Sequence, residues 1–233
     1  MQEKHPASKL VHLAKRAGKL LLDVIYPLGV DCAACGSPSH GQLLCRDCAE
    51  GLERLAIHGP VHTRRRAAWS AYRYDSVSAA LVHRLKFSAH SACAQVLADG
   101  MARAASSMTL GKDAVVTWVP MPPGRRKQRG IDHAGELARH LAEKLDLPCR
   151  PLLKCTRERH TQLGLSAEER QQNVRQAFAC AAHAPGQVLL VDDVLTTGAT
   201  TEACAACLEE GGAEQVFILT ATCRAGSADE QEG

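Results

Sequence analysis

The sequence predicts an α/β fold in which a parallel sheet is flanked by helices and carries a small N-terminal attachment. Four consecutive aliphatic residues at 188–191 are typical of a strand buried on both faces of a parallel sheet. A helical pattern at 203–210, ended by two glycines, and a second apolar run at 216–221 complete a βαβ unit. Two Cys-x-x-Cys pairs set the N-terminal part of the 233-residue chain apart.

The chain before this unit shows the same mixture of strand and helix patterns. We predict strands at 69–74 and 115–119, helices at 75–85 and 92–105, and a further helix after 132. Asp132 is the expected N-cap of that last helix, since leucines follow it at four-residue spacing. Ser166 and Glu169 have capping-box spacing, so a short helix is also expected there.

We divide the chain into four parts: an N-terminal amphipathic helix at 1–28, a four-cysteine module at 29–60, the main α/β domain at 61–225 and a disordered tail at 226–233. The first part has apolar residues at helical spacing, namely Leu10, Leu13, Ala14, Ala17, Leu21 and Val24. Its apolar run at 20–25 is interrupted by Asp23 and is too short to span a bilayer. Docking on the body of the protein and attachment to a membrane surface both remain open for this helix.

Composition argues against a dedicated nucleic-acid-binding protein. The net charge is only +3, and the positive charge is concentrated at 64–66 and 125–129. Aromatic residues make up 3% of the chain, too few for extensive stacking on single-stranded nucleic acid. A direct DNA-binding role is therefore weakened but not excluded.

The cysteine pattern predicts a structural zinc site. Eleven cysteines without a secretory signal indicate reduced thiols and a cytoplasmic location. Cys32, Cys35, Cys45 and Cys48 form two Cys-x-x-Cys pairs, and four thiolates close a tetrahedral Zn²⁺ site without an open position. Four unrelated buried cysteines are the alternative. The pair at 204 and 207 lies in a predicted helix without a second pair, so we assign it to core packing.

The turn after the strand at 188–191 has the chemistry of a sugar-phosphate site. Residues 196–201 offer backbone N–H groups, hydroxyls and a helix N-terminus to a phosphate dianion. Asp192 and Asp193 would be repelled by that phosphate, so they more plausibly accept hydrogen bonds from a neighbouring diol, directly or through Mg²⁺. An ordinary strand-to-helix turn with capping Asp and Thr residues is the alternative.

Two further segments carry positive charge that could meet an anion. The loop at 125–129 follows the predicted strand at 115–119, and the polar segment at 157–175 is rich in arginine and amide side chains. Long polar loops in enzymes are often lids. A solvated basic loop and a disordered connection are the respective alternatives.

These segments resemble those of known proteins. The run at 188–201 resembles the phosphoribosyl pyrophosphate (PRPP) signature of type I phosphoribosyltransferases: an apolar strand, two acidic residues and a Thr/Gly-rich loop. From about 21 to 223 the chain resembles the ComF family of competence-related proteins, which join a four-cysteine zinc module to such a domain. The shared segments follow the same order, namely the cysteine pairs, 85–87, 119–122 with the loop at 126–130, the segment at 157–178 and the signature.

The resemblance implies a type I phosphoribosyltransferase fold and a set of site residues. The catalytic candidates are Asp192, Asp193, Arg157 and Arg170, and the ligand-binding candidates are Thr196, Thr197, Gly198, Ala199, Thr200, Thr201, Arg126, Arg129 and Lys86. The arginines at 126 and 129 would belong to the pyrophosphate-binding loop, and those at 157 and 170 to the flexible catalytic loop. The chain departs from the family pattern at Ile131, Asp132 and His133, where the family usually has an aromatic residue, Asn and Gln.

The implied activity is displacement of pyrophosphate from PRPP by a nitrogen nucleophile, with Mg²⁺ as cofactor. A non-catalytic sensor of PRPP or a nucleotide and an accessory protein of DNA uptake are the alternatives, because fold resemblance does not separate these classes. The implied partners are PRPP and the DNA-uptake machinery, and a homodimer is left open. An enzyme would also need an acceptor site, which we do not locate in the sequence.

Overall fold

The computed structural model describes residues 31–63, 65–88, 91–122, 124, 131–156, 177–181 and 183–224. In chain order the elements are α1 (Arg46–Glu53), β1 (Pro60–His62), β2 (Ala67–Arg73), α2 (Ser76–Ser88), α3 (Ser91–Ala105), β3 (Val115–Trp118), α4 (His133–Leu145), β4 (Leu153–Cys155), β5 (Phe178–Cys180), β6 (Gln187–Leu195), α5 (Ala199–Glu210) and β7 (Gln215–Cys223). None of the helices in these ranges is long and apolar enough to cross a membrane.

The main sheet has five strands in the order β1-β2-β7-β6-β3. The last four are parallel to one another, and β1 pairs antiparallel with β2 at the edge. Strands β4 and β5 form a separate antiparallel pair. The predicted parallel sheet is therefore confirmed, with β6 and β7 at its centre.

Helices cover both faces of the sheet, which explains the unbroken apolar run of β6. Leu189 and Val191 belong to one core cluster, which includes Leu97 of α3 and Leu137 of α4. Val188 and Leu190 belong to a second cluster, which includes Leu208 of α5 and the β4–β5 pair. Because successive side chains of a strand point to opposite faces, a strand covered on both sides needs an apolar residue at every position.

Two of the differences between the predicted and the observed element bounds concern β6 and α5, beside the candidate site. Strand β6 continues to Leu195, so Asp192 and Asp193 lie within a strand whose pairing with β7 extends past them. Helix α5 begins at Ala199, because Gly198 adopts a left-handed conformation and is its N-cap. The apolar pattern stops where the polar site begins, so it underestimates both elements.

Several predicted features lie outside the described residues. They are the amphipathic helix at 1–28, the short helix near Ser166 and Glu169, and the tail at 226–233. The division into four parts remains a prediction.

Candidate functional site

A pocket of about 210 Å³ opens where β3 and β6 end. Six elements contribute residues to it, among them Lys86, His133, Phe178, Asp192, Asp193 and Thr200. A wider and more open groove of about 1020 Å³ lies beside the four cysteines. We assign the ligand site to the smaller pocket, because it lies at the carboxyl ends of parallel strands and contains both carboxylates.

The two aspartates have different surroundings. Asp193 Oδ2 lies 2.8 Å from the Nζ atom of Lys86, and both side chains are largely buried. Asp192 Oδ1 accepts a hydrogen bond from the backbone N–H of Asp193 at 2.9 Å. The hydroxyl of Thr222 donates to the Asp193 carbonyl at 3.1 Å, which ties this part of β6 to β7. The structure thus brings together Lys86 and Asp193, two predicted site residues far apart in the sequence.

The Thr/Gly turn forms the N-terminus of α5, where backbone N–H groups lack helical partners. Thr200 lines the pocket. Thr201 is buried and its hydroxyl donates to the Gly198 carbonyl at 2.9 Å, so this side chain stabilises the turn. The hydroxyl of Thr197 is 3.5 Å from the N–H of Ala199. The turn therefore places the backbone amides of a helix N-terminus beside threonine hydroxyls, a combination that suits an anion.

The turn between β1 and β2 packs against this Thr/Gly turn, a contact that we did not predict from the sequence. A Cβ atom at Gly198 would lie 2.6 Å from Cγ2 of Thr63, in the turn between β1 and β2. The N–H of Arg65 donates to Glu202 in the first turn of α5 at 3.0 Å, and Arg66 binds Glu209 through two hydrogen bonds. The β1–β2 hairpin and α5 are thereby joined beside the Thr/Gly turn.

We expect Gly198→Ala to destabilise the protein more than Gly41→Ala does. Both glycines have a positive φ, +77° and +84°, which costs an alanine about 1–2 kcal/mol. A Cβ atom at position 41 meets nothing within 4 Å, whereas one at position 198 overlaps Thr63. Urea unfolding of both variants measures the difference. Equal losses would show that Thr63 moves away without cost.

The start of α4 explains one departure from the family pattern. One carboxylate oxygen of Asp132 accepts from the Gly135 N–H at 3.3 Å, which confirms the predicted N-cap. The other accepts from Trp118 Nε1 at 2.9 Å. A Cβ atom at Gly135 would lie 3.0 Å from the Trp118 ring, so the helix approaches this ring closely. Asp132 therefore fixes the helix beside the pocket, and the neighbouring His133 is buried against the pocket wall.

The four cysteines of the N-terminal module converge. The sulfur atoms of Cys32, Cys35, Cys45 and Cys48 all lie within 4.8 Å of one another. The Gly36 N–H donates to the Cys32 carbonyl at 2.9 Å and closes the first knuckle. Four thiols at this separation fit a tetrahedral Zn²⁺ ion with no position left for substrate.

Ionisation within this cluster is uneven. Hydrogen bonds from Ser37 lower the pKa of the Cys35 thiol to about 6. Burial and the three neighbouring thiols raise the pKa of Cys48 far above its ordinary value. Close thiols oppose one another's ionisation, and a bound divalent cation would remove that opposition. The donor set therefore suits a metal ion.

The remaining seven cysteines do not belong to this four-cysteine cluster. All eleven cysteines lie in the described ranges, and none forms a disulfide. Cys93, Cys204 and Cys223 are buried, and Cys207 is half-buried, so the predicted core packing of the pair at 204 and 207 holds for Cys204. Cys155 is half-buried and lines the pocket, which the sequence did not indicate.

Four predicted site residues, Arg126, Arg129, Arg157 and Arg170, lie outside the described residues. The described chain reaches the pocket at the borders of both segments that contain them. Pro122 lines the pocket before the first segment, and Cys155 and Ala177 line it on either side of the second.

Comparison with known proteins identifies the class. No family model matches the chain. Competence protein F of Haemophilus influenzae is 27% identical over 200 residues, covering 80% of this chain and 87% of that protein. DNA utilization protein YhgH of Salmonella typhi is 31% identical over 196 residues, covering 80% and 81% respectively.

Among solved structures, glutamine PRPP amidotransferase from B. subtilis matches with a TM-score of 0.39 and 21% identity, over 55% of this chain and 26% of that one. The parallel sheet, with two carboxylates and a Thr/Gly turn at the end of β6, has the type I phosphoribosyltransferase fold that the sequence predicted. The chain belongs to the ComF family, as the predicted resemblance implied.

Proposed function

We propose that this protein binds PRPP together with Mg²⁺ in the pocket at the end of β6 and transfers the phosphoribosyl group to a nitrogen acceptor. The observation that best supports this proposal is that Asp193, Lys86 and the N-terminus of α5 lie around one pocket. This places hydrogen-bond acceptors, a cation and anion-binding amides within reach of a single small ligand.

Each group suits a different part of PRPP. The carboxylates of Asp192 and Asp193 would accept hydrogen bonds from the ribose hydroxyls, directly or through Mg²⁺, and the turn at 196–201 would hold the 5-phosphate. Lys86 would exchange part of its interaction with Asp193 for the pyrophosphate group. In the proposed complex the arginines at 126, 129, 157 and 170 supply the remaining positive charge, because pyrophosphate carries several negative charges.

The proposed reaction forms a carbon–nitrogen bond at the anomeric carbon while the carbon–oxygen bond to pyrophosphate breaks. The chain's contribution is to hold the two reactants in line, neutralise the leaving group and exclude water. Bound Mg²⁺ would supply further charge neutralisation at the pyrophosphate oxygens. No side chain needs to act as a covalent nucleophile.

A non-catalytic PRPP or nucleotide sensor is the second candidate. The pocket formed by the described residues measures about 210 Å³, below the roughly 300–1,000 Å³ typical of sites for whole ligands. The pocket suits part of the PRPP donor better than PRPP and an acceptor together.

The names of the relatives, a competence protein and a DNA utilization protein, support a link to DNA uptake or DNA use for either candidate. We further propose a cytoplasmic location, in keeping with eleven free thiols.

The deciding experiment has two stages. Calorimetric titration with PRPP and Mg²⁺ measures binding, and pyrophosphate release is then assayed with a panel of nucleobases and amines. Acceptor-dependent release supports the enzyme, and binding without release for every acceptor supports the sensor. If PRPP does not bind at millimolar concentration, the enzyme and the PRPP sensor are both rejected, and titration with nucleotides then decides whether the protein is a nucleotide sensor.

A further inference from the structure

Helix α2 touches both the four-cysteine module and the ligand pocket. Lys86 reaches Asp193 in the pocket at 2.8 Å. Arg84 Nη1 lies 3.5 Å from the Ala34 carbonyl, in the first cysteine knuckle, and 3.4 Å from where a Cβ atom of Gly36 would stand. Residues two apart on a helix point in nearly opposite directions, so one helix presents a cation to each side.

Helix α2 packs against the four-cysteine module through buried apolar residues. The buried residues Cys32, Ala33 and Cys48 share one core cluster with Leu81 and Leu85 of α2. The Cys93 thiol donates to the Ala33 carbonyl at 3.4 Å, and a Cβ atom at Gly51 would lie 3.1 Å from Val77 Cγ2. The module and the sheet therefore share one core. Because this core is closely packed, a movement of the cysteine knuckles would also displace α2.

The positive charge of Arg84 lies beside the first cysteine knuckle. A divalent cation with four thiolates has a net charge of about −2, and groups around such a site stabilise it. Arg84 is half-buried beside the first knuckle, and its guanidinium donates a hydrogen bond to the Ala34 carbonyl, which is a neutral group. Its charge is thus directed at the module.

We propose that Arg84 is a positioning residue that fixes α2 on the metal-loaded module and thereby holds Lys86 beside Asp193. The module would then serve the ligand site by keeping this lysine in place for the pyrophosphate group. The inference rests on the proposed function for its ligand, but the mechanical link between Arg84 and Lys86 stands without it.

The ligand test compares Arg84→Met, Arg84→Lys, Lys86→Met and the Arg84→Met/Lys86→Met double variant, each checked for zinc content and thermal unfolding. Inorganic pyrophosphate with Mg²⁺ and ribose 5-phosphate are the calorimetric probes. We expect Arg84→Met to weaken pyrophosphate binding about tenfold, which is within the usual range of coupling between two sites. The affinity for ribose 5-phosphate should stay almost unchanged. Arg84→Lys should recover most of the loss. In the Lys86→Met background, Arg84→Met should add nothing.

An undiminished effect of Arg84→Met in that background would overturn the proposal, because Arg84 would then act independently of Lys86. Equal weakening of both probes would overturn it as well. Hydrogen–deuterium exchange tests the link without any ligand: Arg84→Met should raise exchange at the end of α2 near Lys86, and unchanged exchange there contradicts it. Failure of the wild type to bind either probe would instead reject the proposed function and leave the exchange result to decide this inference.

Discussion

Replacing Asp192 and Asp193 together with asparagine is expected to weaken Mg²⁺-dependent PRPP binding by about 100-fold or more. Hydrogen bonds to charged groups contribute about 1.5–3 kcal/mol each, so losing both carboxylates removes several kcal/mol of affinity. Asparagine also binds Mg²⁺ less well than a carboxylate does. Calorimetric titration of the wild type and the variant measures the effect.

The matched control for this variant is Glu214→Gln, which removes a carboxylate beside β7 at the opposite end of the sheet. It should leave PRPP affinity unchanged. Thermal unfolding shows whether either variant is folded; the double variant should also lose stability, because Lys86 keeps its charge in a largely buried position without the Asp193 carboxylate. Equal affinity of wild type and double variant would reject the assignment of the diol site.

Replacing Cys45 and Cys48 together with serine is expected to reduce the zinc content from about one ion per chain to nearly none and to destabilise the whole protein. We expect the module to lose its knuckles without the ion, and its residues form part of the main core. A loss of several kcal/mol lowers the unfolding temperature by roughly 10 °C or more, since each kcal/mol corresponds to about 2–4 °C at this chain length.

Metal analysis and thermal scans of the purified protein make this measurement. The control is Cys204→Ser/Cys207→Ser, which changes a pair of the same spacing within α5 and should keep the full zinc content. Zinc content that survives Cys45→Ser/Cys48→Ser would place the metal elsewhere. Zinc loss without destabilisation would show that the knuckles fold without it.

The strands and helices around the site could be predicted from local patterns. The aliphatic run of β6 predicts a buried strand, and the glycines after α5 predict the end of a helix. Together these local patterns predict a βαβ unit. The spacing of the four cysteines likewise predicted their convergence, since two tight knuckles meeting on one ion is a short-range geometry. The fold class and the family were therefore predictable, and both are confirmed.

Contacts between distant segments could not be predicted in this way. The sequence marked Lys86 and Asp193 as site residues, but only the packing of α2 beside β6 brings them to 2.8 Å. The contact of Thr63 with Gly198 likewise depends on the β1–β2 hairpin meeting α5.

By itself, then, the sequence determined the class of this protein and the chemistry of its site, because strand periodicity, turn residues and metal-ligand spacing act over short stretches of chain. Tertiary structure alone decided that the cysteine module and the sheet share one core and that α2 lies between the knuckles and the pocket. The physical reason is that burial depends on which surfaces meet, and many arrangements of the same amphipathic elements satisfy the same local patterns.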